Sequence, residues 1–306
     1  MADNLPRVAV LLAAYNGMSW IEEQLASILA QRNVCVSIFI SVDPSTDGTE
    51  TWCAECAIRY SNVFVLPPSG PFGGAAPNFF RLIRDVDLSA FEYISFADQD
   101  DIWYPDKLGR AVSRLRDGDI DGYSSNVVAF WPNGRRMLVN KAQPQVKWDY
   151  FFEAAGPGCT YVLTQRLARA FQSELSEHWP KVQSIMLHDW LCYAYARSAG
   201  FKWFIDPIPG VDYRQHANNQ VGVNAGVASA ISRIRQVWQG VWFAQVRLIC
   251  ELTASENRQG SVVKILARSG RFSLFRLIML ARQCRRRGRD QLVFAVFCGL
   301  SAFRRR

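Results

Sequence analysis

The chain has 306 residues, is 49% hydrophobic and 13% aromatic, and carries a net charge of +8. This composition supplies core for one large domain or a domain with an appendage, and it excludes a disordered chain. The charge is concentrated: residues 264–306 hold twelve of the 35 Lys/Arg and one of the 27 acids, Asp290, so residues 1–263 are net −3. No helix-turn-helix, zinc-finger or RNA-binding signature accompanies it, and a nucleic-acid partner is not expected.

The opening MADNLPR carries an acid and a proline ahead of a short apolar run, so it reads as the approach to a strand and not as a secretory leader. RVAVLLAAY (7–15) is that strand, and NGMSWIEEQLASILAQ follows as a turn and a helix with Ile21, Leu25, Ile28 and Leu29 on one face. CVSIFISVD (35–43) is a second strand, PSTDGT is turn chemistry, and TETWCAECAIRY is helical. Cys53 and Cys56 form a CxxC inside that helix with no second pair. They and the other six cysteines read as reduced thiols. VFVL (63–66) is a third strand, PPSGPFGGAAPN a loop leading to a helix that begins near Phe79, and EYISF (92–96) a fourth strand. Residues 111–150 read as a helix and short strands, GPGCTYVLT (156–164) as a strand entered through a glycine loop, and LHDWLCYAYARSAG (187–200) as a helix stopped by Gly200. KWFIDPIPGVDYRQH reads as strands, and from about Gly226 the pattern is helical to the end.

Strands alternating with helices predict an α/β fold built on a doubly wound, mostly parallel sheet. Such sheets bind ligands at the carboxyl ends of their strands, where Asn16, Asp43 and the acidic run FADQDD (96–101) all fall. Neither GxGxxG nor GxxxxGK[ST] is present, so a phosphate would be handled by another device. Asp98 and Asp100 alternate after a strand, which can aim both carboxylates at one point. Converging hard oxygen donors suit Mg²⁺ or Mn²⁺, and without a cation the like charges repel. An acidic turn capping the helix after Pro105 is the competing reading. Asp43 could accept the imide N–H of a uracil or thymine ring, whereas Asp47 fits an Asp turn. Asp189, beside His188 at a helix start, is placed for a general base or for an N-cap.

Taken in order, AAYNG, VDPSTDGT, FADQDDIWYPDKL, LHDW and YRQHANN resemble the family 2 inverting glycosyltransferases of GT-A fold, and within them the bacterial rhamnosyltransferase-like branch, over about residues 7–222. The resemblance implies a GT-A domain over 1–225, with a nucleotide-binding half (about 1–110) and an acceptor half (about 111–225). Residues 226–306 are then a basic amphipathic helical extension. It also implies site roles. Ala14, Tyr15, Asn16 and Asp43 would line the nucleotide pocket, with Asp43 on the pyrimidine, and Asn78 would touch the donor. Asp98 would face the ribose and the metal, Asp100 would bind the metal on the diphosphate with His216 as a further ligand, and Asp189 would be the general base. One departure is Val42 and Pro44 in VDPS, where the family commonly has DDGS.

The implied reaction is metal-dependent transfer of L-rhamnose from dTDP-L-rhamnose, with inversion, to a hydroxyl of a lipopolysaccharide or lipid-linked glycan. The alternatives are a UDP-hexose transferase of the same family and a catalytically idle membrane scaffold. The apolar stretches 272–281 and 291–303 are too short to span a bilayer and are bracketed by arginines. They read as helices lying on an anionic membrane surface, with a packed helical pair as the other reading. A cytoplasmic enzyme, peripheral on the inner membrane, is the expected setting.

Overall fold

The computed structural model describes residues 5–216, 240–253, 261–267 and 270–303. Expectations for the ANN of YRQHANN, for a helix over 226–239 and for the terminal arginines lie outside these residues.

The chain divides into two compact units. Met1–Ala142, Gly156–Asp189 and Phe201–Gly222 form the first, and Gln143–Ala155, Trp190–Gly200 and Val223–Arg306 form the second.

The first unit is built on β1 (Arg7–Ala14), α1 (Ile21–Leu29), β2 (Cys35–Val42), α2 (Thr49–Arg59), β3 (Val63–Val65), α3 (Ala75–Asp85) and β4 (Tyr93–Ala97). It continues through β5 (Ile102–Trp103), α4 (Lys107–Asp117), β6 (Gly122–Ser125), β7 (Val127–Phe130), β8 (Arg136–Val139), β9 (Val162–Thr164), α5 (Gln165–Glu177) and α6 (Trp179–Val182). α7 (His188–Ala199) begins in this unit, to which β10 (Trp203–Asp206) and β11 (Val211–Arg214) also belong. A seven-stranded sheet has the order β10-β6-β9-β4-β1-β2-β3, and a four-stranded sheet the order β5-β11-β7-β8. In the large sheet only β9 runs antiparallel to its neighbours, β4 and β6. This is the expected mostly parallel α/β fold. β1 is buried from Val8 to Ala14, as a strand covered on both faces requires. Its partners are β2, in register from Arg7–Cys35 to Ala14–Val42, and β4, whose pairing stops at Leu12–Ala97. Val8, Val10 and Leu12 of β1 join Ile38 and Ile40 of β2 in the core. Each such side chain contributes about 1.5–3 kcal/mol by leaving water.

The helix expected near Phe79 begins four residues earlier, at Ala75. Pro77 suggests a break, but in a first turn its missing N–H is one that has no helical partner anyway. Asn78 is therefore inside the helix and not its cap.

The second unit contains helices Val241–Thr253, Ser261–Ala267, Arg271–Met279, Ala281–Cys284 and Gly288–Phe303. Its centre is ionic. Buried Asp149 lies 3.3 Å from Arg197 and 3.6 Å from Arg286, and it accepts a 3.0 Å hydrogen bond from Tyr193. Burial raises the Asp149 carboxyl while the two guanidinium groups oppose that rise. Glu153 accepts from the Arg286 main chain at 2.8 Å, and Arg285 donates to the Phe152 carbonyl at 2.7 Å. Two arginines of the run RRRGR are thus turned inward, because a buried carboxylate needs a counter-charge. Among the described residues no helix is long and apolar enough to cross a membrane.

Candidate active site

The site is assembled at the carboxyl edge of the large sheet, entirely within the first unit. After β1, Asn16 adopts φ +45° and turns the chain, leaving the Tyr15 side chain 55% exposed. The Asn16 carboxamide accepts from Thr46 N–H at 2.8 Å, and Asn16 N–H donates to Ser45 Oγ at 3.0 Å. Ser45 Oγ in turn donates to the Asp43 carbonyl at 2.7 Å. The serine hydroxyl therefore shapes the VDPS turn. Asp47 accepts from Thr49 Oγ1 at 2.5 Å and from Met18 N–H at 3.0 Å. Burial is the largest single influence and raises its carboxyl, but the hydrogen bonds from Thr49 and Met18 together outweigh it and hold the group below the ordinary value. Asp47 is a turn residue.

Ala14 and Asp43 sit side by side at the ends of β1 and β2: both are buried, and Asp43 N–H donates to the Ala14 carbonyl at 2.8 Å. The Asp43 carboxylate reaches across to the loop before α3, where Oδ1 accepts from Phe72 N–H at 2.9 Å. Gly70, at φ +113°, permits this approach, since a Cβ there would lie 2.8 Å from that oxygen. Asn78 is buried below the strands and donates from Nδ2 to the Ser41 carbonyl at 3.0 Å and the Ala14 carbonyl at 3.5 Å. It ties α3 to the sheet edge that carries Asp43. Arg81, one turn on, donates to Ser41 Oγ at 2.9 Å and lies 5.7 Å from the Phe72 ring centroid, so it props the same loop.

Beyond β4 the acids separate in environment. Asp98 is half-buried, and its carboxyl is pushed up to about 8 by burial first, then by the charges of Asp100 and Asp189. The general-base candidate and both members of the metal-type pair therefore share one electrostatic site. Asp100 Oδ2 lies 2.7 Å from His216 Nε2, and the imidazole stacks on Trp20 with centroids 4.0 Å apart. Asp101 points inward. It is fully buried, Oδ1 accepts from Arg214 N–H at 3.1 Å, and burial followed by Asp100 and Asp98 raises its carboxyl well above normal. Asp98, Asp101 and Cys159 offer ligand atoms within 4.8 Å of one another. Burial, then Asp101 and Asp98, hold the Cys159 thiol protonated. Lys107 is buried with Nζ 3.1 Å from Ser95 Oγ and 3.2 Å above the Trp103 ring, and burial lowers its amine to about 7 against the pull of Cys159 and Asp101. The carboxylate oxygens suit a hard divalent cation, but among the described residues Asp98 clusters with Asp101 and the protonated Cys159 while Asp100 pairs with His216, so the donor atoms within 4.8 Å of one another are not those of the expected Asp98, Asp100 and His216 set.

Asp189 is half-buried in the first turn of α7. Its neighbour His188 is buried, stacked on Phe79 at 3.8 Å and edge-on to Phe96 at 5.6 Å, and burial pushes it down to about 3, so it is neutral. Gly158 makes room for this pair: a Cβ there would lie 2.5 Å from His188 Nε2 and 3.2 Å from Asp189 Cβ.

Sequence reasoning left Asp101 without a role and passed over Cys159, Lys107, Arg214 and Gln99. The contacts of Gln99, Arg214 and Cys159 join positions far apart in the chain, Lys107 meets Ser95 and Trp103 nearby but carries no motif, and only the adjacency of Gln99 and Asp101 to the acids could have singled any of them out.

Residues 6–207 match the family model described as glycosyltransferase like family 2. A dTDP-rhamnosyl transferase of Shigella flexneri, RfbG, is 46% identical over 247 residues, covering 80% of this chain and 86% of that protein. An uncharacterized glycosyltransferase of Rickettsia typhi is 28% identical over 112 residues, 36% of this chain and 32% of that one. Among solved structures, S. aureus TarS 1–349, crystallised with UDP-GlcNAc, superposes with TM-score 0.56 at 13% identity, covering 97% of this chain and 89% of that one. That likeness confirms the fold, which is the GT-A arrangement expected from the motifs. Sheet, acidic edge and sequence kinship agree that this chain is a glycosyltransferase and belongs to glycosyltransferase family 2.

Proposed function

We propose that the protein transfers L-rhamnose, with inversion, from dTDP-L-rhamnose to a hydroxyl of a lipopolysaccharide or lipid-linked glycan at the cytoplasmic face of the inner membrane. The observation that carries the reading is the placement of Asp43 after β2 and of Asp98 and Asp100 after β4 at the carboxyl edge of one sheet, with Asp100 2.7 Å from His216. Kinship to the rhamnosyl transferase supplies the sugar. Asp43 meets the thymine ring, and Ala14, Tyr15, Asn16 and Asp98 line the nucleoside, with Asn78 supporting them from below.

Asp98 and Asp100, with His216, would hold Mg²⁺ or Mn²⁺, which when bound supplies charge neutralisation for the leaving diphosphate. Asp189 takes the proton of the acceptor hydroxyl as its oxygen bonds to the anomeric carbon and the glycosyl–phosphate bond breaks on the opposite face. Inversion follows, so a β-linked donor gives an α-L-rhamnoside.

The extension is read as a membrane-surface element. Phe272, Phe275 and Met279 are exposed at helical spacing on one face of Arg271–Met279, as are Leu292, Val296 and Leu300 on Gly288–Phe303. Arg276, Arg282 and Arg289 are exposed near them. Apolar stripes among cations suit an anionic bilayer surface, whereas a second copy would bring like charges together.

The test is a panel of dTDP- and UDP-sugars with Mg²⁺ or Mn²⁺ and candidate lipid-linked acceptors, reading nucleoside diphosphate release. Turnover dependent on dTDP-L-rhamnose and a divalent ion is expected. Preference for a UDP-hexose overturns the sugar, and absence of turnover with every donor overturns the reading.

A further inference from the structure

The turn after β1 has each main-chain N–H from Tyr15 to Met18 taken by a side chain. Asn16, Gly17 and Met18 donate to Ser45 Oγ, Thr49 Oγ1 and Asp47 Oδ2 at 3.0, 2.8 and 3.0 Å, and all three acceptors follow β2. Tyr15 is different. Its N–H donates to Gln99 Oε1 at 2.7 Å, and Gln99 Nε2 donates back to the Tyr15 carbonyl at 2.7 Å.

One carboxamide thus exchanges two hydrogen bonds with a single residue, as the backbone of a paired antiparallel residue does. It does so where backbone pairing between β1 and β4 has already ended, at Leu12–Ala97. The chemistry is selective. A carboxamide offers a donor and an acceptor together, whereas a carboxylate only accepts. Space is selective too, since a Cβ on Gly17 would sit 2.4 Å from Gln99 Oε1. Gln99 stands between Asp98 and Asp100 in sequence, so a residue of the acid loop holds the turn that bears Tyr15 and Asn16.

We propose that Gln99 is a positioning residue that locks the nucleoside-side turn to the acid loop, keeping base and diphosphate subsites in register. The proposal rests on the donor and metal reading given above. Without the lock, a nucleotide can satisfy the base side or the acid side but pays to align them. The enhancement of nucleotide affinity by metal should therefore shrink, while metal-free affinity is kept.

The experiment is calorimetric titration of full-length protein with dTDP, with and without Mg²⁺, for wild type, Gln99→Ala, Gln99→Glu and Asp100→Ala, alongside thermal melts. The expected result is that Gln99→Ala and Gln99→Glu each lose about tenfold of the Mg²⁺-dependent gain, with metal-free dTDP affinity within about twofold of wild type and melting little changed. A wild-type gain in either Gln99 variant overturns the proposal. So does an equal loss with and without Mg²⁺ accompanied by a lowered melting temperature, the pattern of a merely structural residue. Should Gln99→Ala fail to fold, the isosteric Gln99→Glu carries the same comparison. Asp100→Ala separates the two levels: if it loses the gain and the Gln99 variants do not, only the lock fails, and if it keeps the gain, the metal reading fails.

Discussion

His216 Nε2 lies 2.7 Å from Asp100 Oδ2 while the same imidazole is stacked at 4.0 Å on Trp20, so a residue just after β11 of the four-stranded sheet is held against the acid loop that follows β4. The ring is fixed from one face by the indole, and the nitrogen that would serve a metal is already directed at the carboxylate that would share it. His216→Ala should weaken Mg²⁺ or Mn²⁺ activation about 10–100-fold with a smaller change in the rate at saturating metal. Metal titrations of nucleoside diphosphate release check this, and an unchanged activation constant assigns His216 to structure alone.

Removing the metal is the complementary test. Chelation should abolish transfer, and readdition of Mg²⁺ or Mn²⁺ should restore it, because the leaving diphosphate would otherwise meet the carboxylates of Asp98 and Asp100 with no cation between them. Transfer that persists in chelator counts against the pair.

Asp189→Asn preserves shape and removes the base. A loss of about 10²–10⁴-fold in turnover is expected, with dTDP affinity near wild type. Wild-type turnover would remove Asp189 from the proton-transfer role.

Gly158→Ala tests the support beneath that base. The added methyl would meet His188 Nε2 at 2.5 Å, and either ring or helix start must shift. Overpacking of this kind costs roughly 1–3 kcal/mol, so a melting temperature lowered by a few degrees and a reduced turnover are expected together. Wild-type values for both would show that the pair yields without consequence.

His188 also predicts a pH dependence. Its folded value is pushed from 6.5 to about 3 by burial, so between those limits the unfolded chain binds the extra proton. Stability contributed by the neutral ring is therefore complete above about pH 6.5 and lost progressively as pH falls toward 3. Buried acids with raised values act with the opposite sign, so the informative quantity is a difference. His188→Phe should lack this component, and its stability relative to wild type should rise by on the order of a few kcal/mol between pH 6.5 and 4. A flat difference contradicts the assignment.

For the extension, Phe272 and Met279 are each 85% exposed, and replacing either by Asp should leave the fold intact while weakening binding to vesicles containing anionic lipid. Sedimentation with anionic and neutral vesicles, at low and high salt, measures it. Equal binding by variants and wild type removes this face from the membrane.

Local residue pattern is enough to set the frame. Continuous apolar runs spaced by turn chemistry yield a mostly parallel sheet, because such strands are stable only when both faces are covered, and the ends of those strands carry Asp43, Asp98 and Asp100 whatever the details of packing. Which polar side chains meet depends on how distant segments pack. Asp100 faces His216 across 116 positions, Asp101 is turned inward toward Cys159 and Arg214, and Arg285 and Arg286 of the basic tail are consumed by the segment bearing Asp149 and Glu153. Periodicity records only whether a position faces a core. The partner of a buried charge is set by long-range register, which no local pattern of residues encodes.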